Sequence, residues 1–175
     1  KTCAQETVNC MVEDLAAGKI NEPADPSVEG VKSLVNSRQS RAVSYDEWLN
    51  INEVEVSQVG DFNSAVLLLD QSKRQDLNLI QNGDYHSAEI SLLSSNRNVL
   101  DIQQLGSQNQ VIMDFYASNR NNVDVYQSGS NLFSEVLLSA SNANDISVFQ
   151  EGSGHESFIS IVNGHNNRIS VFQTN

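Results

Sequence analysis

Asn122-Val-Asp-Val-Tyr-Gln127-Ser-Gly129-Ser-Asn131 is the stretch on which the reading of this chain turns. Val123 and Val125 alternate with polar neighbours; a Gln follows, and two places later a Gly. The same order returns at a fixed step. Glutamines stand at Gln58, Gln81, Gln104, Gln127, Gln150 and Gln173, so that 81 − 58 = 23 and every later step is equal. Glycines follow the first five at Gly60, Gly83, Gly106, Gly129 and Gly152. A constant period of this size marks repeats that stack.

Each unit reads as two strands. Apolar pairs precede each Gln by four and two residues: Val54/Val56, Leu77/Leu79, Leu100/Ile102, Val123/Val125, Ile146/Val148 and Ile169/Val171. The residues between them are mostly polar (Glu55, Asn78, Asp101, Asp124, Ser147, Ser170), which is the period of a strand with one buried face. The Gly column supplies a positive φ or a close backbone approach at a turn. A second strand then points Ala65/Leu67/Leu69, Ala88/Ile90/Leu92, Val111/Met113/Phe115, Ser134/Val136/Leu138 and Ser157/Ile159/Ile161 inward. A return turn closes the unit. Its column of Asn98, Asn121, Asn144 and Asn167, with Gln75 in the first unit, is expected to take the left-handed backbone that Asn tolerates.

The expected fold is all-β: a parallel two-sheet β-solenoid of 23-residue strand-turn-strand repeats over residues 51–175, about five and a half of them. By parity the Gln column faces inward. A buried primary amide must be hydrogen-bonded, and in a stack each Gln can donate to the Gln on the next rung. Such a ladder fixes register, because a slipped strand breaks several bonds at once.

Composition bounds the function. A net charge of −12 and a sequence pI near 4.4 disfavour nucleic-acid binding, which needs a basic face, and docking on anionic lipid. No apolar run approaches the roughly 20 residues that cross a bilayer, so no membrane insertion is expected. The only prolines are Pro23 and Pro26, and side-chain amides abound, which suits stacked strands. The start Lys1-Thr-Cys3 is compatible with a mature end after cleavage of a leader. Cys3 and Cys10 are close enough in sequence for a short disulfide loop in an oxidising compartment; two separate thiols are the other reading.

The unit around Gln127, and Val54-Glu-Val-Ser-Gln58-Val-Gly60-Asp-Phe-Asn63-Ser-Ala65, resemble the curlin repeat: apolar-x-apolar-x-Gln-x-Gly-x-x-Asn-x-Ala, with a second Gln later. The resemblance covers roughly residues 52–175. It implies a secreted bacterial protein of the extracellular amyloid fibres of biofilms, self-association or association with other curlin-like subunits, and a curli-type secretion apparatus. It implies no enzyme and no cofactor. Two departures stand out. The family's second inward Gln falls on Leu69, Leu92, Phe115, Leu138 and Ile161, and the family's Asn is kept only at Asn63 and Asn109, with His86, Leu132 and His155 on the other rungs. A major subunit and a minor or nucleating subunit both stay open.

Residues 1–50 leave the repeat and are expected to form a short helical or irregular segment. Val8, Met11, Val12 and Leu15 have helical spacing before Gly18; Asp25-Pro26 starts a second stripe of Val28, Val31, Leu34 and Val35. The stretch 36–44 reads as a linker, and Trp48 as a packing anchor. The segment either caps the first rung or serves as a mobile leader.

Other columns carry residue types capable of chemistry. His86 and His155 lie three rungs apart, about 14 Å at the strand spacing, too far to share a metal; they and His165 read as turn residues. Asp101 and Asp124 stack on adjacent rungs, where a solvated acidic face outweighs a Ca²⁺ or acid/base pair. Arg74, Arg97 and Arg120 form a column in the return turn, either a basic strip for an anionic polysaccharide or partner or plain solvated residues. Tyr126, Phe149 and Phe172 form an outward aromatic column of the kind that marks a contact. No nucleophile elbow, phosphate loop or metal-spaced set occurs. The leading expectation is a fibre subunit or nucleator that grows head to tail through its end strands, with Gln58 and Gln173 as joining rungs and the strand before Asn175 uncovered. The alternatives are a soluble solenoid adhesin that holds a glycan or protein on a side face and, more remotely, a β-helix carbohydrate enzyme.

Overall fold

The computed structural model describes the backbone of Val31–Asn36 and Arg41–Tyr45, and residues 53–69 and 71–175 in full. The strands are β1 (Val31–Asn36), β2 (Arg41–Tyr45), β3 (Glu53–Val59), β4 (Ser64–Leu68), β5 (Asp76–Asp84), β6 (Ser87–Ser91) and β7 (Val99–Ser107). They continue as β8 (Gln110–Asp114), β9 (Asn122–Ser130), β10 (Phe133–Ser139), β11 (Asp145–Ser153), β12 (Glu156–Val162) and β13 (Arg168–Thr174). Odd strands form one seven-stranded sheet in the order β1-β3-β5-β7-β9-β11-β13, and even strands a six-stranded sheet from β2 to β12. All pairs are parallel, and each residue sits on the one 23 further along, as in Gln81↔Gln104 and Met113↔Val136.

The alternation in sequence causes this arrangement. A strand with apolar residues at every second place can bury one face only against another such face, and the two turns of each unit supply that face. The inward positions expected of both strands are buried from Val54 to Ile161, with Ile169 and Val171 of β13 partly buried against them. Phe115, on the column where the family's pattern has a second Gln, is the largest side chain wholly enclosed. Enclosing one such side chain contributes about 1.5–3 kcal/mol.

Left-handed backbone makes the corners. Each Gly of the column has positive φ, from 105° at Gly106 to 139° at Gly129. A Cβ on Gly106 would lie 2.1 Å from the carbonyl oxygen of Gly129 on the next rung. Both reasons expected for glycine therefore operate together.

The sequence reading and the structure part at three places. Val31, Leu34 and Val35 lie on strand β1, not on a helix, and Arg41–Ser44 on β2, not in a linker. The helical spacing was a coincidence of a period-two strand: Val31 pairs with Val54 and Val35 with Gln58, a further 23-residue step. As a consequence β3 is not the outermost strand, and Gln58 lies on an internal rung with Val35 opposite it. The left-handed residues of the return turn are not the Asn column but two others: Gln71, Ser94, Ala117, Ala140 and Asn163, with φ between 50° and 53°, and the residue just before the Asn column, Arg74, Arg97, Arg120, Ala143 and Asn166, with φ between 55° and 58°. Cys3, Cys10, Trp48 and the helix expected before Gly18 lie outside the described residues.

Candidate functional site

The features that set this protein apart run along the axis. In the Gln column the Nε2 of each residue donates to the Oε1 of the next: Gln58 to Gln81 at 2.7 Å, Gln81 to Gln104 at 2.8 Å, Gln104 to Gln127 at 3.1 Å, Gln127 to Gln150 at 2.9 Å and Gln150 to Gln173 at 2.8 Å. From Gln81 onward the second N–H of each amide donates to the carbonyl that starts the preceding second strand, as Gln104 does to Ser87 at 3.2 Å. Both donors of each inner amide are thus used, and the expected ladder exists. At Gln173 the structure differs. Its Nε2 donates to Glu156 O at 3.1 Å, and its other N–H has no partner among the described residues.

Sequence reasoning missed a second ladder. Asn98, Asn121 and Asn144 are buried, and Asn121 Nδ2 donates back to Asn98 Oδ1 at 3.1 Å, Asn144 to Asn121 and Asn167 to Asn144 at 3.0 Å each. Its donors point toward the N-terminal rungs, opposite to those of the Gln ladder. Buried Ser95, Ser118 and Ser141 form a third column: the backbone N–H of Ser118 donates to Ser95 Oγ and that of Ser141 to Ser118 Oγ, both at 3.1 Å. Just outside, Asn96 donates to Asn119 and Asn119 to Asn142 at 3.0 Å, and Asn142 meets His165 Nδ1 at 3.4 Å. The 23-residue step marks all of these; the preference of Asn for turns obscured them.

His86 is the other surprise. It is buried, and its Nδ1 accepts the Asn109 backbone N–H at 3.3 Å, as Asn63 Oδ1 accepts that of His86 at 2.9 Å. The ring does the work of the Asn in its column. Burial pushes its pKa below the usual histidine range, against the opposing pull of the Asn82 carbonyl and Asp84. His155 is half-buried and His165 exposed.

The outer columns fall where expected. The rings of Tyr126 and Phe149 stack with centroids 5.0 Å apart, and those of Phe149 and Phe172 at 4.8 Å. Phe172 is 72% exposed. Asp101 and Asp124 are register partners on the outer face; burial first, then Asp101 and Asp145, raise the Asp124 pKa. Arg74, Arg97 and Arg120 are exposed. Among the described residues no group of three or more His, Cys, Asp or Glu is placed to hold a metal, and no helix is long and apolar enough to cross a membrane.

Residues 141–174 match the family model described as the Curlin associated repeat. That segment holds the rungs of Gln150 and Gln173, and strict register gives the other units the same plan. No curated protein and no solved structure matches the chain.

Proposed function

We propose, with the curlin-family membership that this match supports as the premise, that the chain is a structural subunit or nucleator of an extracellular amyloid-type fibre. It is exported by a curli-type apparatus and joins other subunits end to end in a biofilm matrix. The observation that carries the reading is the outer edge of β13. Among the described residues this strand is the outermost of a parallel in-register sheet, its apolar pair Ile169 and Val171 is only partly buried, and the amide of Gln173 keeps an N–H without a partner. An edge of this kind is a template for another strand. A parallel sheet has two unlike edges, so copies join head to tail and the array does not close.

A second reading of the partner has its own support. Through β1 a second copy brings Val35 to the Gln position, because Val35 is the register partner of Gln58. A different curlin-like subunit that presents a Gln there would complete the ladder, which favours a minor or nucleating role beside another subunit.

The test is growth of the purified chain at neutral pH, followed by thioflavin fluorescence and electron microscopy. Fibres with a cross-β pattern support the reading. Gln173→Glu puts an uncompensated charge at the joint and is expected to slow elongation. A persistent monomer at high concentration would favour a soluble adhesin acting through a side face.

A further inference from the structure

Charge on this molecule is sorted by position in the rung. Between residues 53 and 175 the Lys and Arg residues are Lys73, Arg74, Arg97, Arg120 and Arg168. Arg168 pairs with Asp145, Nε to Oδ2 at 3.1 Å. The other four stand on one edge, the return turn. None of the chain's 22 Asp and Glu residues falls in 71–75, 94–98, 117–121, 140–144 or 163–167, the five passes of that turn among the described residues. On a chain of net charge −12, this edge is a carboxylate-free basic stripe.

The arginines form a single file. Lys73 bridges to Asn96 and Asn96 to Asn119, so the turns are in register and Arg74, Arg97 and Arg120 follow one another at the strand spacing of about 4.8 Å. Like charges so placed repel, and each sits on left-handed backbone that non-glycine residues adopt at a cost. The fold does not require arginine, because Ala143 and Asn166 take the same conformation on the next two rungs, with φ of 55° and 57°.

We propose that this edge binds a linear acidic polysaccharide, carrying one carboxylate per sugar ring, laid along the solenoid axis. Such a chain carries its carboxylates in linear succession, and the arginines succeed one another along the solenoid axis at the strand spacing of about 4.8 Å. Each guanidinium offers a planar fork that fits a carboxylate with two hydrogen bonds. Tyr116, 57% exposed, enters the turn that carries Arg120 and adds an aromatic ring beside the stripe. Asp76 and Asp145 flank the stripe two residues beyond the arginine column, and Asp70 precedes it in the sequence column of Tyr116, so the basic track is narrow. Duplex DNA, a broad cylinder of phosphates, would press against those acids and the acidic body.

The test uses monomeric chain, fresh from purification, on sensors coated with oligogalacturonate, neutral dextran or a single-stranded dT20. Binding to oligogalacturonate, absent on dextran and weakened by salt, is expected. The triple variant R74N/R97N/R120N, whose Asn is native to this turn at Asn166, should keep the wild-type urea midpoint and lose binding by about tenfold or more. Equal binding to dextran, undiminished binding by a folded triple variant, or tighter binding to dT20 than to the uronate would each overturn the proposal. Binding is read on the monomer, so the outcome is independent of fibre growth.

Discussion

Replacing Gln104 with Met tests whether the glutamine ladder stabilises the solenoid or merely occupies it. The substitution nearly keeps side-chain volume but removes every hydrogen bond of the amide. Gln81 Nε2 loses its acceptor at 2.8 Å and retains only Ser64 O at 3.1 Å; Gln127 Oε1 loses its donor at 3.1 Å; Ser87 O loses one at 3.2 Å. Gln81 and Gln127 are fully buried, so water does not replace what is lost. Two orphaned side-chain groups at about 1–3 kcal/mol each give a destabilisation of about 4 kcal/mol. Gln173→Met orphans only one buried donor, Gln150 Nε2, because Gln173 itself is partly exposed; about 1–2 kcal/mol is expected. The double variant Q81M/Q104M should cost less than the sum of the two single changes, since their shared bond is lost once. Urea unfolding of the monomer, read by far-ultraviolet circular dichroism, measures the parent, Q81M, Q104M, Q173M and the double variant. Equal costs at residues 104 and 173, or a cost below about 1 kcal/mol at Gln104, would refute the argument.

Other predictions follow from the same geometry. Gly106→Ala should cost about 3 kcal/mol or more, because its Cβ meets the Gly129 carbonyl at 2.1 Å with φ at 105°, whereas Gly154→Ala, with open space around it, should cost only about 1 kcal/mol for its φ of 70°; urea midpoints of the two variants check this. His86 is held neutral in the folded state, with its pKa lowered by burial. The unfolded chain therefore takes up the proton first, and stability is lost as pH falls from about 6.5 toward the lowered folded value. His86→Asn, the residue found at Asn63 and Asn109 in this column, should flatten that loss in melting curves taken across the window. Ser134 is buried and its Oγ has no hydrogen-bond partner among the described residues. Ser134→Ala, the residue of Ala65 and Ala88 in the same column, should raise stability by about 1 kcal/mol in the same assay.

Much of this fold was legible because one period governs everything. Alternation fixed the inward faces of both strands, and the Gln and Gly columns fixed the rungs. What escaped notice did so for physical reasons. Asn98, Asn121 and Asn144 carry a residue type that favours both left-handed turns and amide ladders; other residues of each turn, such as Ser94 and Arg97 or Ala117 and Arg120, take the left-handed conformation and leave the Asn side chains to ladder. His86 hid because an imidazole nitrogen can replace an Asn oxygen as acceptor, a substitution that polarity scales do not reveal. Val31–Asn36 is ambiguous in sequence because Val31, Leu34 and Val35 fit a helical stripe as well as a strand, and only the 23-residue offset to Val54 and Gln58 separates the two. The outer aromatic and arginine columns were visible as columns, but their partners lie outside the chain and no pattern within it names them.

The central claim is that subunits stack end to end with their rungs continuous. Mass per length of single fibres, by scanning transmission electron microscopy, tests it most directly. The seven described strands of the longer sheet at about 4.8 Å give about 34 Å of fibre per chain of 19.2 kDa, or about 5.7 kDa per nanometre for one filament. That value, or a whole multiple of it for bundled filaments, is the predicted result. A value well below it would mean that the solenoids do not meet rung to rung, and intermediate values would mean association through the sides.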